Sequence, residues 1–307
     1  MTGFSTPCTG VVVGVDGTES AERALLWAAR EAALRRCALV VTHAYRHLGW
    51  PGGPEVDRAN RRRARNLVRA AADLAAAAQP NLVIVPQVVR GTPVQALESA
   101  VDLPDLLVVG QRHRGRVAGA LLAGTGSGLA RRSPRPVVVV PEPDGRPGPF
   151  AGHVVVGVDH SVQSGTVLAF AFAAAASRGR PLAVVHVGLG WNTDTWRELD
   201  SGELHQESPE EGWLLLEAAV RPFRALYPRL PVKLVLHQAP AAAGLLRAAR
   251  GADLLVVGTA GRGRVASATG SVSRAMIARA SCPVAVIPPA PAVTLPAYPE
   301  LDRLTAR

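Results

Sequence analysis

The strongest constraint on this chain is that it carries one pattern twice. Thr9-Gly-Val-Val-Val-Gly-Val-Asp16 returns as Gly152-His-Val-Val-Val-Gly-Val-Asp159. Ala38-Leu-Val-Val-Thr-His43 returns as Leu182-Ala-Val-Val-His186, and Asp105-Leu-Leu-Val-Val-Gly110 as Asp253-Leu-Leu-Val-Val-Gly258. Pro136-Val-Val-Val-Val-Pro141 returns as Pro283-Val-Ala-Val-Ile-Pro288. Four matches in the same order, spaced by roughly 145 residues, mark a whole domain duplicated once rather than a solenoid of short units. Each copy must bury its own core, and 307 residues suffice for two domains.

Each copy alternates short apolar runs with helical stretches. In repeat 1 the strands are expected at Val11–Val15, Ala38–Ala44, Leu82–Val89, Leu106–Val109 and 136–140. Helices are expected at Glu19–Arg36, Val56–Gln79, from Gly91-Thr-Pro93 onward, and over 126–132. Pro93 suits the first turn of a helix. Residues 46–55, rich in Gly and Pro, read as a loop. Strands that are apolar throughout need cover on both faces, so the fold class is α/β, with two tandem doubly wound parallel sheets of five strands each. The domain bounds are 1–142 and 153–289, with a Pro- and Gly-rich linker at 143–152 and an extended tail at 290–307. The counterpart of loop 46–55 in repeat 2, Gly188–Pro209, is longer and more acidic. Its Trp191 and Trp196 serve a ligand mouth, a partner surface or the domain's own packing.

Composition narrows the function classes. No apolar run approaches the ~20 residues that cross a bilayer, and the N-terminus lacks a signal-peptide pattern. A cytoplasmic protein with no membrane partner is expected. The three cysteines, Cys8, Cys37 and Cys282, form no C-x-x-C pair and read as buried or neutral thiols. The net charge of +10 is almost entirely arginine, with Lys233 the only lysine. The charge is dispersed and not interleaved with aromatics, so no nucleic-acid partner is expected. Arg58, Arg61, Arg62, Arg63, Arg65 and Arg69 on one helix either clamp a polyanion or form a solvated face.

The chemistry concentrates in Gly258–Ser273, G-T-A-G-R-G-R-V-A-S-A-T-G-S-V-S. A buried strand runs into a glycine-rich loop and then into a helix start. Glycine lets backbone N–H groups approach a ligand, and a helix N-terminus adds free donors and partial positive charge. Gly258, Gly261, Gly263 and Gly270 with the hydroxyls of Ser271 and Ser273 therefore suit a phosphate chain. A tight turn with a serine cap is the alternative. Asp16 and Asp159 end the first strand of each repeat, where open α/β sheets bind ligands. Each carboxylate faces a base or ribose, holds Mg²⁺, or caps the next helix. The chain lacks G-x-x-x-x-G-K-[ST], G-x-S-x-G and H-E-x-x-H, and no base, nucleophile and orienting group come together, so no enzyme is expected.

These elements resemble the universal stress protein family in its tandem form. Asp159-His-Ser161-Val-Gln-Ser164 fits the family's D-x-S-x-x-S pattern, and repeat 1 keeps Asp16-Gly-Thr18-Glu-Ser20. The family's ATP motif is G-x2-G-x9-G-[S/T]. Repeat 2 matches it with a loop one residue short. Repeat 1 has Gly110 but His113 at the second glycine, and Gly124-Thr125-Gly126-Ser127 stands out of register. The resemblance implies a Rossmann-like fold of the adenine nucleotide alpha hydrolase type, with the repeats packed about a pseudo-twofold. It also implies ATP, with Mg²⁺, bound near Asp159, Ser161, Val185, His186 and the repeat 2 glycines. The weaker site has Asp16, Thr18, Gly110, Gly124, Thr125 and Ser127. A nucleotide-dependent stress-response module acting on a protein partner, with a homodimer as a further option, follows from it. An interaction scaffold with decayed sites is the alternative.

Overall fold

The computed structural model describes residues 10–45, 53–100, 105–111, 125–159, 164–188, 197–199, 209–259 and 270–289. They form two compact units, within Ser5–Pro141 and within Glu142–Arg307.

The first unit runs β1 (Val11–Gly14), α1 (Glu19–Arg35), β2 (Leu39–Tyr45), α2 (Gly53–Ala78), β3 (Ile84–Arg90), α3 (Pro93–Glu98), β4 (Leu106–Gly110), α4 (Thr125–Arg132) and β5 (Val137–Val140). The strands pair in parallel in the order β3-β2-β1-β4-β5. Val11, Val12, Val13, Leu106, Val108 and Val138 show no exposed surface. That is why these runs read as continuously apolar: helices pack on both faces of the sheet. Thr18 caps α1, accepting from the Ala21 N–H, and Thr92 forms a capping box with Gln95 in front of Pro93. The expected loop 46–55 is corrected at its end, because α2 begins at Gly53. Proline is tolerated in a first helical turn, so Gly53-Pro54 opens the helix instead of blocking it.

The second unit repeats the plan with β6 (Val154–Val158), α5 (Ser164–Arg178), β7 (Leu182–Gly188), β8 (Arg197–Leu199), α6 (Pro209–Leu226), β9 (Val232–Gln238), α7 (Ala241–Ala248), β10 (Leu254–Gly258), α8 (Ser271–Arg279) and β11 (Val284–Ile287). Its order is β11-β10-β6-β7-β9-β8. The expected five strands become six, because β8 adds an antiparallel strand outside β9, with Leu199 opposite Leu234 and Arg197 opposite Leu236. Residues 142–152 also pack on this unit. Phe150 is buried, the Gly148 N–H donates to the Arg250 carbonyl, and the Gly152 N–H donates to the Gly251 carbonyl.

The outer strands of the two sheets differ in donors at one equivalent position. Pro86 and Leu234 hold the same place in β3 and β9, opposite Val41 and Val184. The bonds from Leu39 N–H to Val83 and from Leu182 N–H to Pro231 set the alternation, and it turns Pro86 and Leu234 outward. Leu234 therefore offers an edge N–H beside β8. Pro86 has none, and among the described residues no strand lies outside β3.

Cys37 and Cys282 are buried free thiols, and desolvation pushes Cys282 up to about 12. It stays a neutral, unreactive thiol in the folded protein. Iodoacetamide at about pH 8 should leave Cys282 unmodified until urea is added, as read by peptide mass spectrometry. Labelling of Cys282 in the native protein would contradict this packing. Cys8 lies outside the described residues. No described helix is long and apolar enough to cross a membrane.

Candidate functional site

In each sheet the strand order reverses direction at one point, between β1 and β4 in the first unit and between β6 and β10 in the second. Crevices at such switch points, above the strand C-termini, are where open α/β sheets take ligands. The sequence motifs converge there. Asp16 follows β1 and Gly110 ends β4. Asp159 follows β6 and Gly258 ends β10.

The β1–α1 turn is held by the aspartate itself. Asp16 Oδ1 accepts from the Thr18 N–H at 3.1 Å and from Thr18 Oγ1 at 2.6 Å, while Thr18 Oγ1 accepts from the Ala21 N–H at 3.3 Å. Gly17 between them has φ of 81°, a conformation that favours glycine. Asp16 thus braces the cap of α1 rather than capping it directly. In the second unit Ser164 Oγ donates to Asp159 Oδ1 at 3.4 Å.

His43 and His186 take equivalent places. His43 Nδ1 lies 2.6 Å from the Val15 carbonyl and His186 Nδ1 lies 2.9 Å from the Val158 carbonyl. A carbonyl only accepts, so Nδ1 carries the proton in both rings. Each histidine ties the end of β2 or β7 to the residue before the aspartate. Val185, one position earlier, is fully buried, so its side chain belongs to the core and offers a ligand nothing.

Gly110 has a packing role that sequence reasoning did not supply. A Cβ there would overlap the Ser20 carbonyl and lie 3.0 Å from the Ala21 nitrogen. The bare backbone lets the end of β4 sit directly on the first turn of α1. The glycine builds the floor of the crevice before it serves any ligand.

The helix that follows β10 at this crevice is α8. The Gly270 N–H donates to the Thr259 carbonyl at 2.5 Å, closing the glycine-rich loop on its own base. Gly270 is the N-cap, at φ −61° and ψ 158°, and no side chain caps the helix. Among the described residues no side chain caps the first-turn N–H groups from Ser271 onward, unlike those of α1 and α3. Ser271 is exposed. Ser273 is buried, and its hydroxyl lies 3.1 Å from the Gly270 carbonyl and 3.4 Å from the Thr259 carbonyl. The Ser273 side chain therefore clamps the loop base instead of pointing to a ligand.

A cleft of about 400 Å³ opens beside β2 and α2, lined by His43, Ala44, Tyr45, Asn60, Arg63 and Leu67 among others. Leu67 also faces Gly17. Asn60, Arg63 and Leu67 share one helical face, and that spacing was the only signal available for the cleft. Thr125 and Ser127 lie in α4, with their side chains not described. Ser161, Gly261, Gly263, Gly124 and His113 lie outside the described residues.

A family model described as the universal stress protein family matches residues 9–141 and 151–288. The chain is 32% identical over 288 residues to "Universal stress protein Rv2005c" of Mycobacterium tuberculosis, covering 90% of this chain and 96% of that protein. It is 33% identical over 317 residues to "Universal stress protein Rv1996" of the same organism, with 92% and 97% covered. In shape it is similar to a universal stress protein from Archaeoglobus fulgidus, at a TM-score of 0.69 and 17% identity, covering 92% of this chain and 99% of that one. That likeness speaks to fold alone.

Proposed function

The chain belongs to the universal stress protein family, a stress-response family, with two copies of its domain, and from that premise we propose that it binds adenine nucleotide, ATP foremost, at the switch point of its second unit. One observation carries the reading: the uncapped N-terminus of α8 and the carboxylate of Asp159 rise from the two strands, β10 and β6, that flank the reversal of strand order. Free N–H donors at a helix start take phosphate. A carboxylate repels phosphate, so Asp159 takes the nucleoside end. Magnesium would arrive on the phosphates, whose charge it neutralises. The reading assigns binding and no catalytic step, in the cytoplasm, with occupancy biasing contact to a protein partner.

The first unit is the weaker site in this reading. His113 replaces a loop glycine, and one lost buried contact costs ~1–3 kcal/mol, or roughly ten- to hundredfold in affinity. The test is to purify the protein without added nucleotide, denature it, and identify released small molecules by mass spectrometry, followed by calorimetric titration with Mg-ATP. About one equivalent of ATP per chain is expected. No released nucleotide together with no binding in the titration would overturn the reading in favour of a scaffold with decayed sites.

A further inference from the structure

The equivalent helices α2 and α6 differ in the charge of their exposed faces. On α2, Arg58, Arg61, Arg62, Arg65 and Arg69 are all exposed. At 100° per residue they fall within an arc of about 100°, as one stripe about 16 Å long. Ala64, Val68 and Ala75, on the adjoining face, are buried against the unit. Arg58 lies 3.9 Å from Glu55, with both side chains largely exposed. Such a pair neutralises little. The exposed face of α6 carries Leu214, Leu215, Glu217, Ala218 and Arg221 instead.

The complement to this stripe is in the same sequence. Residues 194–207 hold Asp194, Glu198, Asp200, Glu203 and Glu207 against a single basic residue, Arg197. The middle of this stretch is β8, pinned antiparallel to the outer edge of β9. It therefore sits at the rim of the second unit's sheet, as α2 packs on β2 and β3 at the rim of the first. Five guanidiniums on the stripe match, in number and opposite sign, the five carboxylates that the sequence places in this stretch. Guanidinium forks suit carboxylates in pairs. No aromatic side chain lies within the stripe to stack on bases, and no apolar residue interrupts it to enter a membrane.

We propose that the arginine stripe of α2 docks the acidic stretch 194–207 of a second copy of the chain. The contact is heterologous: each copy offers a different surface, so association runs head to tail. It is electrostatic, so it weakens with salt.

Complementation tests this. Variant S carries Gln at Arg58, Arg61, Arg62, Arg65 and Arg69. Variant A carries Asn at Asp194 and Asp200 and Gln at Glu198, Glu203 and Glu207. All five arginines are exposed, so S should fold, and circular dichroism melts check both variants. By sedimentation velocity, the parent protein should self-associate beyond the assemblies of S or A alone at about 50 mM salt, and at least ~tenfold less tightly at about 500 mM. S and A mixed should recover one contact as an S–A pair, because each supplies the half the other lacks. Equal association of parent, S and A, or no recovery on mixing, would overturn the proposal. So would nucleic acid co-purifying with the parent and lost from S, which would reassign the stripe to phosphate chains. A concentration-independent, salt-sensitive compaction of the parent would overturn it in favour of occupancy within one chain.

Discussion

Gly270→Glu should abolish nucleotide binding while leaving the fold in place. Gly270 sits at φ −61° and ψ 158°, in extended backbone open to any residue, so glutamate brings no backbone strain. What it brings is a carboxylate at the start of α8, where the free N–H groups would meet phosphate. Like charges brought together cost several kcal/mol, and ~3 kcal/mol already corresponds to a hundredfold loss of affinity. Acidic groups are otherwise welcome at a helix start, so α8 itself should not weaken. The measurement is Mg-ATP titration of the variant beside its thermal melt. A loss exceeding about a hundredfold with an unchanged melt is expected, and undiminished binding would remove the α8 terminus from the site. Gly270→Ser is the informative companion. Its hydroxyl would cap the first turn and compete with the ligand for the same donors, so a milder loss, within ~tenfold, is expected.

Gly110→Ala should be among the most damaging single changes in the first unit. The added Cβ would overlap the Ser20 carbonyl, a backbone group that cannot rotate away. The first turn of α1 is fixed by the Thr18 cap and by the burial of Ala21, Ala24 and Leu25. Either β4 or α1 must shift. Overpacking of this kind costs ~3 kcal/mol or more when backbone is the obstacle. That corresponds to a fall of roughly 6–12 °C in the melting temperature of a domain this size. Gly165→Ala is the control, because a Cβ at Gly165 meets nothing within 4 Å and the residue is in α5. It should be neutral or stabilising by up to ~1 kcal/mol. A melt of Gly110→Ala equal to that of the parent would show that the strand end can separate from α1 freely.

Much of this architecture can be read from the chain because its strands are buried on both faces. Val11–Val13 and Leu106–Val109 announce themselves as apolar runs because no side of them meets water. Thr92-Pro93 announces a helix start because local chemistry decides a cap. What escapes the sequence is decided elsewhere in the chain. β8 is three residues, Arg197–Leu199, with no pattern of its own, and it is a strand only because β9 lies beside it. Asn60 and Arg63 line a cleft only because α2 is laid against the end of β2. Ser273 stands in a motif that resembles phosphate-binding loops, yet its hydroxyl turns inward to the Gly270 and Thr259 carbonyls. Sequence gives the hydroxyl and not its direction. Gly110 is legible as a glycine and illegible as a spacer, since its need arises from Ser20, far away in the chain.

The contrast between Pro86 and Leu234 means that the two halves have ceased to be interchangeable parts. A protein assembled from two copies of the second half, each trimmed of its strap, would carry two donor-bearing rims and tend to polymerise through them. One assembled from two copies of the first half would carry two rims each interrupted by a proline and no strap at all. The two halves meet the same hazard differently, one with a proline that lacks a hydrogen-bond donor and the other with a length of chain laid along the edge. Grafts between this protein and its relatives should therefore exchange a half together with its rim, never the rim alone.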